Sequence, residues 1–295
     1  VVVPVAPVGS LLALGASVTI GGLAVEGSMG VSAGTLTVDG QTTVEGSLLI
    51  SGGSFAVLSG LAIANGGAVS NLGLVVSGTS ATLPGAADTG VFQNLGTLQL
   101  TGTLAGRIEN SATVNVLDDA AVSSYSQGST GMLFLLRTMT VQGHAAIEGA
   151  VSVSLSADPA TSGHLGASGI LSISLSSLAI DTNAAGAMSE GTERPIFSSS
   201  STAMDAFSIA SYGVIGQHAD FAYALRLSGF DTFVGGLSLI ALNDGATGGR
   251  AVLEDSATNR AITLAIDSDT GRGTIRGGSF ADLVREYLPA ESVEE

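Results

Sequence analysis

Cysteine, tryptophan and lysine are absent from this 295-residue chain, aromatic residues make up 4% and charged residues 12%. Without cysteine there is no disulfide framework, no thiolate metal site and no cysteine nucleophile. The basic residues are nine arginines against 25 acidic side chains, a net charge of −16. Such a chain offers no basic surface to nucleic acid and is repelled by phosphate backbones. No apolar run reaches the ~18 residues of a membrane-spanning helix, and the aromatic girdles of a membrane barrel are missing. Mean hydropathy is +0.50, too apolar for a disordered chain. What the sequence has in quantity is glycine, 42 residues, among alanine, serine and valine. The composition is that of a soluble β protein.

The composition changes along the chain. Before Arg107 the only charges are Glu26, Asp39, Glu45 and Asp88, and the only aromatics are Phe55 and Phe92. Beyond residue 196 acids, arginines and aromatics become frequent, with a serine-rich seam at Ser198–Thr202 near the change. Two structural regimes are expected.

The first regime repeats. From Gly22 to Gly78 glycine recurs about every six residues, within the range of short-repeat solenoids. Leu23-Ala-Val25-Glu-Gly27, Leu36-Thr-Val38-Asp-Gly40, Leu48-Leu-Ile50-Ser-Gly52, Leu74-Val-Val76-Ser-Gly78 and Leu98-Gln-Leu100-Thr-Gly102 share one template, and Met139-Thr-Val141-Gln-Gly143 is a later copy. Apolar residues alternate, which is the strand period, and glycine then serves a tight corner. Four residues of strand with a two-residue corner is one side of a β-solenoid coil. Three sides give a coil of roughly 18 residues, with coils stacked about 4.8 Å apart. Val25-Glu26-Gly27 and Val44-Glu45-Gly46 lie 19 residues apart and are expected to stack. The solenoid is carried over residues 18–155.

The second regime, 156–279, reads as antiparallel. Leu237–Leu242, Arg250–Glu254, Ala261–Ile266 and Gly273–Arg276 are strand-like runs divided by turn residues. Residues 280–295 read as a short helix and an acidic tail. Ser279 is the expected cap, and Phe280, Leu283, Val284, Tyr287 and Leu288 share one face. At the other end, residues 1–17 form an apolar arm. Pro4 and Pro7, with no basic leader, fit an extended segment rather than a cleavable signal. Val1, Val2, Val3, Val5 and Val8 are expected either to pair with a neighbouring subunit or to cover the end of the chain's own solenoid. The fold expected is therefore all-β: an N-terminal parallel β-solenoid, an antiparallel β region and a short C-terminal helix.

Candidate chemistry is sparse. Asp267-x-Asp269-x-Gly271 resembles the first half of a calcium loop, but position 278, where the distal glutamate would fall, is glycine. An Asx-rich hairpin turn is the competing reading, and calcium is the one cofactor considered. Glu26 and Glu45 precede corner glycines; a retaining glycosidase pair would stand about 5 Å apart, but no aromatic residue lies nearby to stack a sugar. Asp118 and Asp119 read as a solvated turn. His144, His164 and His218 lack metal-ligand spacing, and His218 beside Asp220 reads as a polar loop. No G-x-S-x-G elbow is present.

The stretch Gly34–Gly53, with Gly96-Thr-Leu-Gln-Leu-Thr-Gly102 and Ile108-Glu-Asn-Ser-Ala-Thr-Val114, resembles bacterial autotransporter and haemagglutinin-type adhesin passengers over residues 18–155. The resemblance implies a right-handed β-helix displayed outside a bacterial cell. The passenger pattern also has a C-terminal membrane barrel, which this sequence lacks. The short glycine period is also similar to bactofilins, cytoskeletal β-helices that polymerise end to end; those lack an antiparallel second half. The expected function is a non-enzymatic structural protein, extracellular or at a cell surface, with itself as principal partner in a fibre, sheath or coat. A monomeric adhesin for glycans or host surfaces stands second, and a glycan-cleaving β-helix third.

Overall fold

The computed structural model describes residues 17–77, 90–185, 193–199 and 204–215. It also describes the short strands Val2–Val3 and Ser10–Leu12 and the backbone of five strands between Ala222 and Arg276.

The sequence units become the sides of a parallel β-solenoid. Thr35–Val38 buries Leu36 and Val38, and Ser54–Val57 buries Phe55 and Val57, with the intervening side chains outward. Ser28 lies opposite Ser47 and Val25 opposite Val44, so one coil takes 19 residues. The ladder bonds run from coil to coil: Ser47 N–H donates to the Gly27 carbonyl at 2.8 Å, and Ser54 N–H to the Gly34 carbonyl at 2.8 Å.

Register turns each inward position into a continuous column. Leu36, Phe55, Val75, Leu98, Val114, Leu133 and Val151 stack in one, and all are buried. Each fully buried Leu, Val or Phe contributes about 1.5–3 kcal/mol relative to exposure. A neighbour 4.8 Å above and below leaves room for branched aliphatics and an occasional ring. The scarcity of aromatics follows from this spacing.

Corners explain the glycines. Gly34 and Gly53 are stacked corner residues, and both have φ of 73°, a conformation that costs glycine little. Gly46 is required for a different reason: a Cβ there would collide with the Gly27 carbonyl one coil away.

Further along the chain the corners soften. Thr103–Asn110 is one strand of 8 residues, Ala120–Gln127 another of 8, Ala145–Ser154 has 10 and Leu171–Asp181 has 11. Each covers two sides of the coil. Ala145–Ser154, for example, pairs with Tyr125–Gln127 and also with Met132–Leu135.

The C-terminal end of the solenoid differs from the sequence expectation. The solenoid was expected to stop near residue 155, yet parallel pairing continues. Thr138–Val141 pairs with His164–Ala167, which pairs with Leu165's partner strand Glu193–Ser199, and Leu171–Asp181 pairs with Met204–Ile209 and Tyr212–Ile215. Serine alternation in Leu171–Asp181 marks a half-buried strand but does not encode the direction of its partner. Antiparallel pairing begins later, where Glu193–Ser199 meets Gly235–Leu242, itself paired with Ala222–Ser228. A separate sheet of Gly248–Asp255, Arg260–Asp267 and Gly273–Arg276 is also antiparallel.

At the N-terminal end the arm's two readings separate. Val2 and Val3 pair in parallel with Ala24 and Val25, and Ser10–Leu12 pairs with Met29–Val31. These segments are strands on the chain's own solenoid. Val1, Val5 and Val8 lie outside the described residues, as does the expected helix with Phe280, Leu283, Val284, Tyr287 and Leu288.

Candidate functional site

Glu26 and Glu45 are both exposed at stacked corners, following the paired residues Val25 and Val44. The third coil has Ala64 in the corresponding place, so the acidic column is two residues tall. Asp118 and Asp119 act as a turn: Asp119 N–H donates to Asp118 Oδ1 at 2.9 Å, and Thr138 N–H to Asp119 Oδ1 at 3.3 Å. His144 Nδ1 accepts the Ile170 N–H at 3.0 Å at another corner. Asp267 ends a strand opposite Gly248; Asp269, His218 and Asp220 lie outside the described residues. Among the described residues no three His, Asp or Glu side chains converge on a point.

Among the described residues the outer surface is mostly small and polar, and Arg107 and Glu109 form an ion pair on it at 3.0 Å. Both partners are largely exposed, and such a pair adds little stability. At one corner Leu72 and Leu95, 51% and 54% exposed, follow the paired residues Asn71 and Asn94. Leu117 and Leu136 form a second such step.

One interior column departs from the aliphatic rule. It reads Val31, Ile50, Asn71, Asn94, Asn110, Gln127, Ile147 and Ile173 along the stack. Its four amides are buried and bonded in series. Asn71 Nδ2 donates to Asn94 Oδ1 at 2.9 Å, Asn94 Nδ2 to Asn110 Oδ1 at 2.8 Å, and Asn110 Nδ2 to Gln127 Oε1 at 3.1 Å. The second Nδ2 hydrogens of Asn71 and Asn94 go to the carbonyls of Thr97 and Thr113. Asn71 Oδ1 also accepts from Gly73 N–H and Asn110 Oδ1 from Ala112 N–H. Asn71 and Asn110 therefore each hold their own corner and the next coil, and Asn94 and Gln127 also reach the next coil. Tyr125 closes the series by donating to Gln127 Oε1 at 2.7 Å. Burial holds the Tyr125 hydroxyl far above the ordinary phenol range, partly offset by the hydrogen bond with Asn110.

The other polar feature is on the outer face. His164 Nε2 and Ser198 Oγ are 2.9 Å apart on neighbouring strands. Burial lowers the His164 pKa below its ordinary value.

Neither protein-family models, curated proteins nor solved structures give a match to this chain.

Sequence reading missed the amide column. Its signal was present as Asn71-Leu-Gly73, Asn94-Leu-Gly96 and Asn110-Ser-Ala112, each preceded by an apolar-x pair. Taken one at a time these read as turns. Only their recurrence at one coil position marks a column. The pairing of His164 with Ser198, 34 residues apart, carries no local signal at all.

Proposed function

We propose that this chain is a non-enzymatic structural protein that assembles with copies of itself into a fibre, sheath or coat outside a bacterial cell. The observation that carries the reading is the parallel ladder running from Val2 to Ile215, with a core of stacked aliphatics and amides. Such a body is rigid and built by adding identical increments, which suits a building block. The small, weakly charged outer side chains suit lateral packing.

Electron microscopy and light scattering of the purified full chain, with and without calcium, test the reading. Ordered polymers are expected. A strictly monomeric particle at high concentration overturns it.

A second reading, a monomeric adhesin, draws on the exposed leucine steps Leu72–Leu95 and Leu117–Leu136. A glycan array separates the two, because a pure building block binds no glycan.

A further inference from the structure

The outer face of the solenoid carries a histidine–serine pair in a lane where glycines flank the serine. His164 and Gly166 point outward from the strand His164–Ala167, while Leu165 and Ala167 point into the core. Gly166 lies opposite Ser198 on the next coil. On its other edge Ser198 lies opposite Gly236 of the antiparallel strand Gly235–Leu242. Ser198 therefore has a glycine on each side along the ladder.

That lane creates the contact. An imidazole two residues from Gly166 has to lean over it to reach Ser198. A Cβ on Gly166 would crowd His164 Cε1 at 3.2 Å, pushing the ring by a few tenths of an ångström, and would touch Ser198 Oγ at 3.4 Å. With glycine there, Nε2 and Oγ meet at 2.9 Å, the distance at which a base takes a hydroxyl proton. Both side chains are half-buried, so they are partly dried yet reachable. The charged residues on the elements packed against His164 are Asp119 and Arg137 on the preceding coils and Glu193 and Arg194 on the following strand. Arg137 is occupied with the Thr161 carbonyl and Arg194 with that of Ala157.

We propose that Ser198 is a nucleophile activated by His164, and that the pair accepts acyl groups from small activated carboxylic esters. In the step, Ser198 Oγ attacks the ester carbonyl carbon while its proton passes to His164 Nε2. The Oγ–C bond forms, and the bond from carbon to the leaving oxygen breaks. His164 returns the proton to that oxygen, and the alcohol departs. Ser198 is left as an ester, so the chain is acylated once and does not turn over, in keeping with a structural rather than an enzymatic role. Gly166 and Gly236 on either side of Ser198 leave room for a small planar acyl group.

The reading is independent of self-assembly and is tested on the full chain with p-nitrophenyl acetate, by release of nitrophenolate and by peptide mass spectrometry. One acetyl group on Ser198 is expected, with nitrophenolate release ending at one equivalent per chain. Ser198→Ala abolishes both signals. His164→Gln, which keeps a hydrogen-bonding side chain, slows acetylation about a hundredfold, the usual worth of a general base. Gly166→Ala leaves both reacting groups in place but crowds the imidazole, and slows it as well. The rate in the parent chain levels off above the His164 titration, whereas an unassisted serine keeps accelerating into alkali. Circular dichroism of each variant confirms that the β fold is retained. Acetyl groups scattered over several serines, no acetylation, or a rate indifferent to His164→Gln overturns the proposal.

Discussion

Asn94 stands one coil below Asn110 and donates Nδ2–H to its Oδ1 at 2.8 Å. Both side chains are buried, so neither can turn to water if the other is lost. Buried polar networks are unforgiving in this way: partners removed singly leave orphans, while partners removed together do not.

Asn94→Leu is expected to lower stability by about 1–3 kcal/mol, because it leaves Asn71 and Asn110 each short of a partner. Replacing Asn71, Asn94, Asn110 and Gln127 by leucine together with Tyr125→Phe is expected to cost less than the sum of the five single changes. Urea denaturation of the set measures the difference. Strict additivity would show that the amides act independently.

Thr42 sits in an inward column between Leu23 and Leu61. Its hydroxyl is buried without a hydrogen-bond partner. Thr42→Val keeps the shape and removes the unsatisfied group, so the variant is expected to be more stable by about 1 kcal/mol or somewhat more. A rise in melting temperature checks this, and a fall would mean that the hydroxyl has a partner in solution.

Burial depresses the His164 pKa in the folded state, so the unfolded chain binds the proton more readily. Stability from this group is fully present above the unfolded value of about 6.5 and is lost as pH falls from there toward the folded value. Denaturation midpoints on either side of that window should differ more in the parent chain than in His164→Gln. Equal differences would remove His164 as the source.

Two glycines separate steric need from chain entropy. A Cβ on Gly46 would collide with the Gly27 carbonyl and stand 2.7 Å from that of Glu26, whereas one on Gly21 meets nothing within 4 Å. Gly21→Ala is expected to stabilise by about 0.4–1 kcal/mol through the unfolded chain, and Gly46→Ala to destabilise by more than that. Thermal melts of the two variants rank them.

The solenoid was legible because its pattern is local. Alternation within Leu23–Val25 or Thr35–Val38 sets the inward face, and the repeated Val-Glu-Gly at 25–27 and 44–46 gives the coil length that the Val25–Val44 pairing shows. Past Thr103 single strands run on around the corners, and the template fades although the coils continue. Alternation in Leu171–Asp181 tells which side chains are inward but not whether Tyr212 or a hairpin partner lies alongside. The His164–Ser198 contact was beyond reach for the same reason: it depends on which strands become neighbours across intervening chain.

Repetition carries a hazard of its own. Coils built on Leu-x-Val-x-Gly are nearly interchangeable, so a coil that skipped its neighbour and docked on the next would find a similar aliphatic surface. The amide block breaks that degeneracy. A coil that skipped its neighbour would set Asn94 against Ile50, or Asn110 against Ile147, in place of the amide each meets in the native stack. The hydrogen bond to the skipped amide is then lost inside the core. The column thus works as an address written into the interior, telling each coil of an otherwise uniform stack which floor it is on.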